Sequence, residues 1–404
     1  MGIRSADSHL ADQKEFTEPV ALSSPRHIDL PLARSAFVTG FDLVALRARC
    51  TANLRRRESQ VKLAAEEKSA ICADSFQSRA GALDDETSDY DAAMRGGRTY
   101  VLAAALLGAA ALLTIAGVGD RSGFPDWQAF VLGVVQGATE LLPVSSSGHL
   151  VLVPWLGDWT YLEQHDDFNH TFDVALHLGT MLAVGGYFWH DLVAMVRAFV
   201  RTLRTRRLET PDERLAWIVL VATIPAGIIG LALEDTITAH LGEPWQIAIL
   251  LAVFAGVLWL VDRRPATREA HELSLKEGLA VGFAQALALA PGVSRSGITI
   301  SAGRLFRLDR DAAARLSFLL LVPTVLGAVL LKGLQDVVLG DLPAGWKGPF
   351  LVGVLSAWGT GLLAIEWLLG YVRQHTYGLF VVYRLVAAAI IVLLIVTGAR
   401  AATF

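Results

Sequence analysis

The stretch Gln136–Leu150, which reads QGATELLPVSSSGHL, is the most informative part of the sequence for predicting the fold. It places a carboxylate, three hydroxyls and an imidazole in a chain that is 53% hydrophobic and only 18% charged, with a mean hydropathy of +0.46. Soluble domains are about 25% charged, and several apolar runs here approach the ~20 residues that cross a bilayer. We therefore expect an all-α polytopic membrane protein, in which polar groups at membrane depth are candidate functional residues.

The chain divides into three parts by composition. Residues 1–97 form a polar tail that we expect to be disordered, and residues 98–120 form an extra transmembrane or signal-like segment. Because the basic stretch Met94–Arg98 precedes the apolar run, translation from Met94 is a hypothesis. Residues 126–400 form the predicted membrane domain. Both cysteines lie in the tail, which argues against a disulfide or thiolate metal site in the membrane domain.

Charge asymmetry predicts the orientation of the membrane domain. Basic loops around 197–214 and 263–276 flank an acidic hairpin around 234–243. Because Lys and Arg accumulate on the cytoplasmic side, the two basic loops are expected inside and the acidic hairpin outside. The apolar segments 127–142 and 278–290 are short and break at Pro143 and Pro291. We predict that each belongs to a re-entrant helical hairpin.

An internal repeat relates these two breaks. At one constant offset, five residues match within a sixteen-residue window: Gly133 with Gly282, Gln136 with Gln285, Ser145 with Ser294, Ser147 with Ser296, and Gly148 with Gly297. The predicted copies, about 126–233 and about 275–398, enter from opposite faces. This is typical of inverted-topology repeats, whose binding sites lie near the bilayer midplane. Broken backbone at that depth must be buried in protein or line a cavity.

The residues at the two breaks suit phosphate chemistry. We name residues 136–149 the first motif and residues 291–299, which read PGVSRSGIT, the second motif. Arg295 can hold phosphate oxygens with two N–H groups, and a serine can attack phosphorus if a base accepts its proton. His149 is the nearest candidate base. Glu140 could orient that histidine or hold a divalent cation between phosphates.

Simpler interpretations remain open for each part. Serines in membrane helices often join neighbouring helices, Glu140 could belong to a structural ion pair, and His149 could be a buried structural residue. Glu366 and Arg384 in the last two segments are interpreted as a structural pair. Asp173 and His177 are interpreted as polar groups at a cavity rim, without an assigned role.

Together the two motifs resemble the undecaprenyl-diphosphatase family of bacterial lipid pyrophosphatases linked to bacitracin resistance, over roughly 126–398. The resemblance implies hydrolysis of undecaprenyl diphosphate to the monophosphate, which recycles the lipid carrier for peptidoglycan. It implies that Ser146 is the nucleophile, that His149 assists proton transfer, and that Gln136 and Glu140 fill the acidic motif. The resemblance further implies that the diphosphate is held by Arg295, Ser294, Ser296 and Thr299. Further candidate substrate-binding residues are Gln136, Ser145 and Ser147.

The resemblance also implies Mg²⁺ or Ca²⁺, with Glu140 as the candidate ligand, and no organic cofactor. Gln136 stands where a second carboxylate could stand, which weakens a metal site built on that helix alone. The implied location is the bacterial cell membrane, with the site open to the extracytoplasmic face. The expected partners are the polyprenyl lipid and the bilayer but no nucleic acid, and a homodimer is left open. The alternative function is a transporter or flippase of a polyprenyl phosphate, because inverted repeats are common in carriers.

Overall fold

The computed structural model describes residues 96–117, 123–332 and 345–403. Within these residues the regular structure is helical and no strand forms, apart from an isolated bridge between Arg268 and Leu308. The predicted all-α fold is confirmed. Almost all of the predicted disordered tail, and the hypothetical start at Met94, lie outside the described residues.

Thirteen α-helices are described, in chain order: α1 Gly96–Ile115, α2 Asp126–Leu141, α3 Ser146–Gly157, α4 Thr160–Gln164, α5 Asp166–Tyr187, α6 Trp189–Thr205, α7 Pro211–His240, α8 Pro244–Asp262, α9 Leu275–Ala286, α10 Arg295–Leu305, α11 Arg310–Lys332, α12 Lys347–Val372 and α13 Gly378–Val396. Among the described residues, six are long and apolar enough to cross a membrane: α1, most of α7, α8, most of α11, α12 and α13. The protein is therefore a multi-pass membrane protein. The re-entrant course of the two short hairpins stays a prediction.

One predicted loop is wrong. The arginine-rich residues that follow α5 were expected to form a loop, but residues 189–205 form helix α6. Met195, Ala198 and Thr202 are buried on one face of α6, whereas its arginines are exposed. Apolar residues recur here at helical spacing between the arginines, and such an amphipathic helix can lie at a membrane interface.

The two short helices that precede the motifs are each packed against a long helix through glycine. On α2, a Cβ added at Gly133 would lie 2.5 Å from the carbonyl oxygen of Gly353 on α12. On α9, a Cβ added at Gly282 would lie 2.9 Å from Cδ of Pro225 on α7. The matched glycines of the repeat thus permit close helix contact in both copies.

Arg384 lies at the centre of the bundle, on α13, and its predicted pairing with Glu366 is wrong. It is fully buried and donates hydrogen bonds to backbone carbonyl oxygens, including those of Gly292 at 2.9 Å and Val293 at 3.0 Å. The broken backbone at the motifs leaves carbonyl oxygens without helical partners, and a guanidinium with five N–H donors can satisfy several of them.

Candidate active site

The two motifs form equivalent turns. Ser145 and Ser294 both adopt positive φ, 78° and 76°, and each is the N-cap of the helix that follows. The Ser145 hydroxyl accepts a hydrogen bond from Gly148 N at 3.4 Å, and the Ser294 hydroxyl accepts one from Gly297 N at 3.0 Å. A positive φ is strained for serine, so its occurrence at matched positions supports the repeat that the sequence predicts.

The two turns contact each other directly. The Gly292 N–H donates to the Ser145 hydroxyl at 3.1 Å, and the Ser296 hydroxyl donates to the Leu142 carbonyl oxygen at 2.8 Å. Arg384 adds bonds to the second turn and a longer one, 3.4 Å, to the Pro143 carbonyl oxygen of the first. The two motifs therefore meet in the folded chain.

Glu140, one residue before the end of α2, is the centre of the polar cluster. Its side chain is only 5% exposed. Oε2 accepts a hydrogen bond from the Ser146 hydroxyl, and Oε1 accepts from Arg295 Nη2 at 2.7 Å and Nε at 3.2 Å. A carboxylate from the first motif therefore meets a guanidinium from the second. The hydroxyl of Ser146, the first residue of α3, is bonded to the same carboxylate. Burial strengthens these interactions because the local dielectric constant is low.

Arg295 retains donors for a ligand. Its third hydrogen bond runs from Nη1 to the Ser317 carbonyl oxygen on α11, at 2.6 Å. A guanidinium has five N–H donors, and three of them are used in these contacts. The other two N–H groups can bind anionic oxygens without breaking the ion pair with Glu140. The side chain is 12% exposed, so it is not sealed from its surroundings.

His177 on α5 is part of the cluster, which sequence reasoning missed. Its Nε2 lies 3.5 Å from Oε2 of Glu140, and its Nδ1 lies 2.7 Å from the Asp173 carbonyl oxygen. It had been interpreted as a rim group without a role. The only signal in the sequence was its spacing of four residues from Asp173, which puts two polar groups on one face of an apolar helix. Gln136 completes the cluster, with Nε2 at 3.4 Å from Oε2 of Glu140.

His149 does not contact Ser146 in this structure. Its Nε2 lies 2.7 Å from the Tyr383 hydroxyl, and its Nδ1 lies 2.6 Å from the Ser145 carbonyl oxygen. Both ring nitrogens are therefore engaged away from the serine that was expected to use His149 as its base. The reason lies in helix packing, because the ring of His149 on α3 is stacked beside Tyr383 on α13. Its predicted part in proton transfer stays a prediction.

The other predicted ligand-binding hydroxyls hold the structure together. Ser294 lies 3.2 Å from Ser296, hydroxyl to hydroxyl, and Thr299 donates to the Ser317 hydroxyl at 2.8 Å. The side chains of four predicted ligand-binding residues are almost fully buried, namely Ser145, Ser294, Ser296 and Thr299, whereas Ser147 is half-buried. Their bonds join the two turns and fix α10 on α11. Contact of these residues with a substrate stays a prediction.

The described residues do not offer a metal site built by protein alone. Among them, no group of three His, Cys, Asp or Glu side chains is arranged to hold a metal ion. Both carboxylate oxygens of Glu140 already accept hydrogen bonds. The nearby buried Oε1 of Gln136 has no hydrogen-bond partner, but it is an uncharged oxygen ligand. A hard divalent cation usually takes six or more oxygen ligands. These donors are too few to fit a cation that the protein holds by itself.

The cluster has the parts of a phosphoryl-transfer site. A hydroxyl is bonded to a buried carboxylate that can accept its proton, and a guanidinium beside it can stabilise charge that develops on phosphoryl oxygens. The three groups come from both copies of the repeat, so that the site exists only where the two turns meet.

The chain is similar to known proteins over most of the predicted membrane domain. The family described as bacitracin resistance protein BacA matches residues 129–390. The undecaprenyl-diphosphatase of Thermomicrobium roseum is 47% identical over 283 residues, which are 68% of this chain and 99% of that protein. The undecaprenyl-diphosphatase of Gemmatimonas aurantiaca is 45% identical over 266 residues, 66% of this chain and 96% of that protein. A match that spans both motifs and most of the membrane domain is decisive, and the chain belongs to the bacitracin resistance protein BacA family.

Proposed function

We propose that this protein hydrolyses undecaprenyl diphosphate to undecaprenyl phosphate and inorganic phosphate. The observation that carries the proposal is the shared carboxylate of Glu140, which binds the Ser146 hydroxyl from one motif and the Arg295 guanidinium from the other. The names of the relatives, undecaprenyl-diphosphatases, support the same substrate.

The proposed reaction begins with Ser146. As its oxygen attacks the terminal phosphorus of the diphosphate, its proton passes to Glu140, the acceptor to which it is already hydrogen-bonded. The bond between the terminal phosphorus and the bridging oxygen breaks, and the lipid monophosphate leaves with that oxygen. The two remaining N–H donors of Arg295 stabilise the phosphoryl oxygens. Water then attacks the phosphorus of the phosphoserine, and the bond between that phosphorus and the serine oxygen breaks. The serine oxygen takes back the proton from Glu140, and inorganic phosphate leaves with the oxygen of the water.

His177 would position the carboxylate during these steps. Since its Nε2 is near the oxygen of Glu140 that accepts the proton, it can restrain the rotation of the carboxylate. Direct attack by water, with Ser146 as a positioning group, predicts no covalent intermediate. Rapid quenching followed by mass spectrometry of the Ser146 peptide separates the two routes.

A divalent cation is proposed as part of the substrate complex. Because the protein donors are too few, Mg²⁺ or Ca²⁺ would arrive bound to the diphosphate, with Glu140 or Gln136 as an additional ligand. Such an ion would neutralise charge on the phosphates. None of the steps above depends on it.

The proposed cellular role is recycling of the lipid carrier for peptidoglycan and other envelope polymers, with resistance to bacitracin as a consequence. The arginine-rich ends of the helices support a cytoplasmic location for loop 263–274. The site is proposed to open to the extracytoplasmic face, as the family resemblance implies. Labelling of single cysteines at 242 and 266 in intact cells would test this orientation, since only the outer position should react with an impermeant reagent.

The decisive experiment measures phosphate release by purified protein from a C55 diphosphate lipid. Ser146→Ala and Arg295→Ala are expected to lower the rate by about 10³-fold or more. Ser301→Ala is the matched control, because that buried hydroxyl bonds only to the Gly297 carbonyl oxygen of its own helix. Full activity in the first two variants would refute the site.

Lipid transport is the second candidate, and the equivalent turns of the two repeats favour it. Both functions need Arg295, but only hydrolysis needs the Ser146 hydroxyl. Translocation of a polyprenyl phosphate in vesicles that persists in Ser146→Ala would favour transport, whereas loss of phosphate release in the same variant supports the enzyme.

A further inference from the structure

A polar cavity lies at the arginine-rich end of the bundle, away from the reaction site. Its volume is about 850 Å³, and it lies between the end of α8, the end of α10 and the starts of α11 and α13. Arg295 begins α10 and Arg304 lies near its end. Nine residues of helix separate them by about 14 Å, so the cavity is a separate site that the proposed reaction does not use.

The wall of the cavity has an excess of positive charge. Five arginines and three aspartates line it. Each of the three carboxylates is already bound by groups of the fold: Arg304 and Arg310 at Asp262, the Ala312 amide at Asp309, and Arg315 and Arg373 at Asp311. Asp262 and Asp311 are thus neutralised by arginines, and Asp309 is bonded by a backbone amide of the following helix. Because arginines outnumber aspartates on the wall, the cavity has a net positive charge and favours an anion.

Two arginines of the wall are uncommitted to any carboxylate. Among the described residues, Arg263 and Arg264 form no ion pair, and both are exposed. The Arg263 guanidinium lies over the Trp259 ring, 3.5 Å from its centroid, which restricts its position. Two guanidinium groups on one cavity wall, without a carboxylate partner, are suited to phosphate oxygens.

Buried Arg304 fixes the loop that carries these cations. It is 3% exposed and donates to three backbone carbonyl oxygens, those of Asp262 at 3.0 Å, Arg264 at 2.8 Å and Leu308 at 2.7 Å. Burial of the Arg304 charge is unfavourable by itself, but these hydrogen bonds offset the cost and hold the end of α8 in one conformation. The cations of the cavity are thus presented by a rigid backbone.

The surroundings of the cavity are apolar on the side of α8 and α13. Trp259, which lines it, is 43% exposed, and its neighbour Leu260 is 61% exposed. On α13, Leu379 and Val382 are 48% and 59% exposed. Tryptophan beside arginine at a helix end is typical of the membrane interface, and such apolar faces are suited to acyl chains.

We propose that this cavity binds the phosphate headgroup of an anionic phospholipid from the leaflet at the arginine-rich end. Arg263 and Arg264 bind the phosphate, and the acyl chains lie along the exposed faces of α8 and α13. Basic pockets between transmembrane helices on the cytoplasmic side have the chemistry to bind such headgroups. The inference does not depend on the proposed reaction.

The test is native mass spectrometry of the purified full chain with equimolar phosphatidylglycerol and phosphatidylcholine. The wild type should retain phosphatidylglycerol with about tenfold enrichment, and Arg263→Gln/Arg264→Gln should bring the ratio close to one. The matched control is Arg197→Gln/Arg204→Gln, which removes two exposed charges from α6 at the same end of the molecule. It should keep the enrichment.

Three outcomes would overturn the proposal. The first is equal retention of the two lipids by the wild type, and the second is an equal loss of enrichment in the control variant, which would indicate diffuse surface attraction. The third is displacement of the lipid by excess inorganic phosphate, which would assign the cavity to the free ion. Arg264→Gln alone, in which the Trp259 contact of Arg263 is kept, should give an intermediate ratio. Phosphate release should be unchanged in every variant.

Discussion

Substitution of Gly137 on α2 tests whether the packing of α2 against α12 positions the site. A Cβ added there would lie 2.5 Å from the Ala357 carbonyl oxygen, 2.8 Å from Thr360 Cβ and 2.9 Å from Gly361 N, all on α12. Two of these atoms belong to the backbone and cannot rotate away. To restore an ordinary separation near 3.4 Å, Gly137→Ala must move α2 from α12 by about 1 Å.

The displacement should reach the site because Glu140 is less than one turn away on the same helix. Its 2.7 Å bond with Arg295 comes from an element that does not move with α2. We expect the apparent melting temperature to fall by about 2–10 °C, from an overpacking cost of ~1–3 kcal/mol. A misplacement of about 1 Å can lower the rate by about 10²-fold.

The assay compares phosphate release and thermal unfolding of Gly137→Ala with those of Gly370→Ala. Gly370 is exposed on α12, and a Cβ there would meet nothing within 4 Å. This control should keep both activity and stability, because alanine also favours helix. If Gly137→Ala matches the control in rate and melting temperature, the reasoning from helix contact is refuted.

Three further predictions concern side chains. His177→Ala should lower the rate of phosphate release at saturating lipid about tenfold, through the lost contact with Glu140, and an unchanged rate would exclude a positioning role. Arg384→Met should lower the melting temperature by about 5 °C or more, because the carbonyl oxygens of both turns lose their donor. Arg384→Lys should lower the melting temperature by less. Equal melting temperatures of Arg384→Met and the wild type would contradict this. At the arginine-rich end, outside the six candidate spans, the hydrogen bond from Arg268 lowers the pKa of Glu277 to about 2. Because the folded pKa is depressed, this stabilisation is present above the ordinary pKa of about 4.3 and is lost as pH falls towards 2. The melting-temperature difference between wild type and Glu277→Gln should therefore shrink from pH 7 to pH 3, and a constant difference would refute the assignment.

Local chemistry accounts for the parts of the site that the sequence predicted. Ser145 and Ser294 could be matched because a serine cap followed by glycine is a local pattern, and the pattern repeats at a constant offset. Composition alone predicted an all-helical membrane protein, since apolar runs of that length have few alternatives. The α6 helix was missed because dense arginine was interpreted as a loop, although the apolar spacing between the arginines was helical.

The partners of individual side chains depended on contacts between distant helices. His149 was assigned as base from its proximity to Ser146 in the chain, but α13 places Tyr383 beside it. The pairing of Arg384 with Glu366 was predicted from charge alone, whereas Arg384 donates to the carbonyl oxygens of Gly292 and Val293 in the second turn.

The sequence by itself determined the helical class, the repeat, and the presence of a carboxylate, a serine and an arginine at its two breaks. Those properties follow from hydropathy, glycine and proline positions, and residue types, which act over short stretches of chain. Only the tertiary structure decided that Glu140 accepts from Ser146, that His177 joins them, and that Arg384 binds both turns. Hydrogen bonds form over about 3 Å, and such distances between residues far apart in the chain are set by how the helices pack.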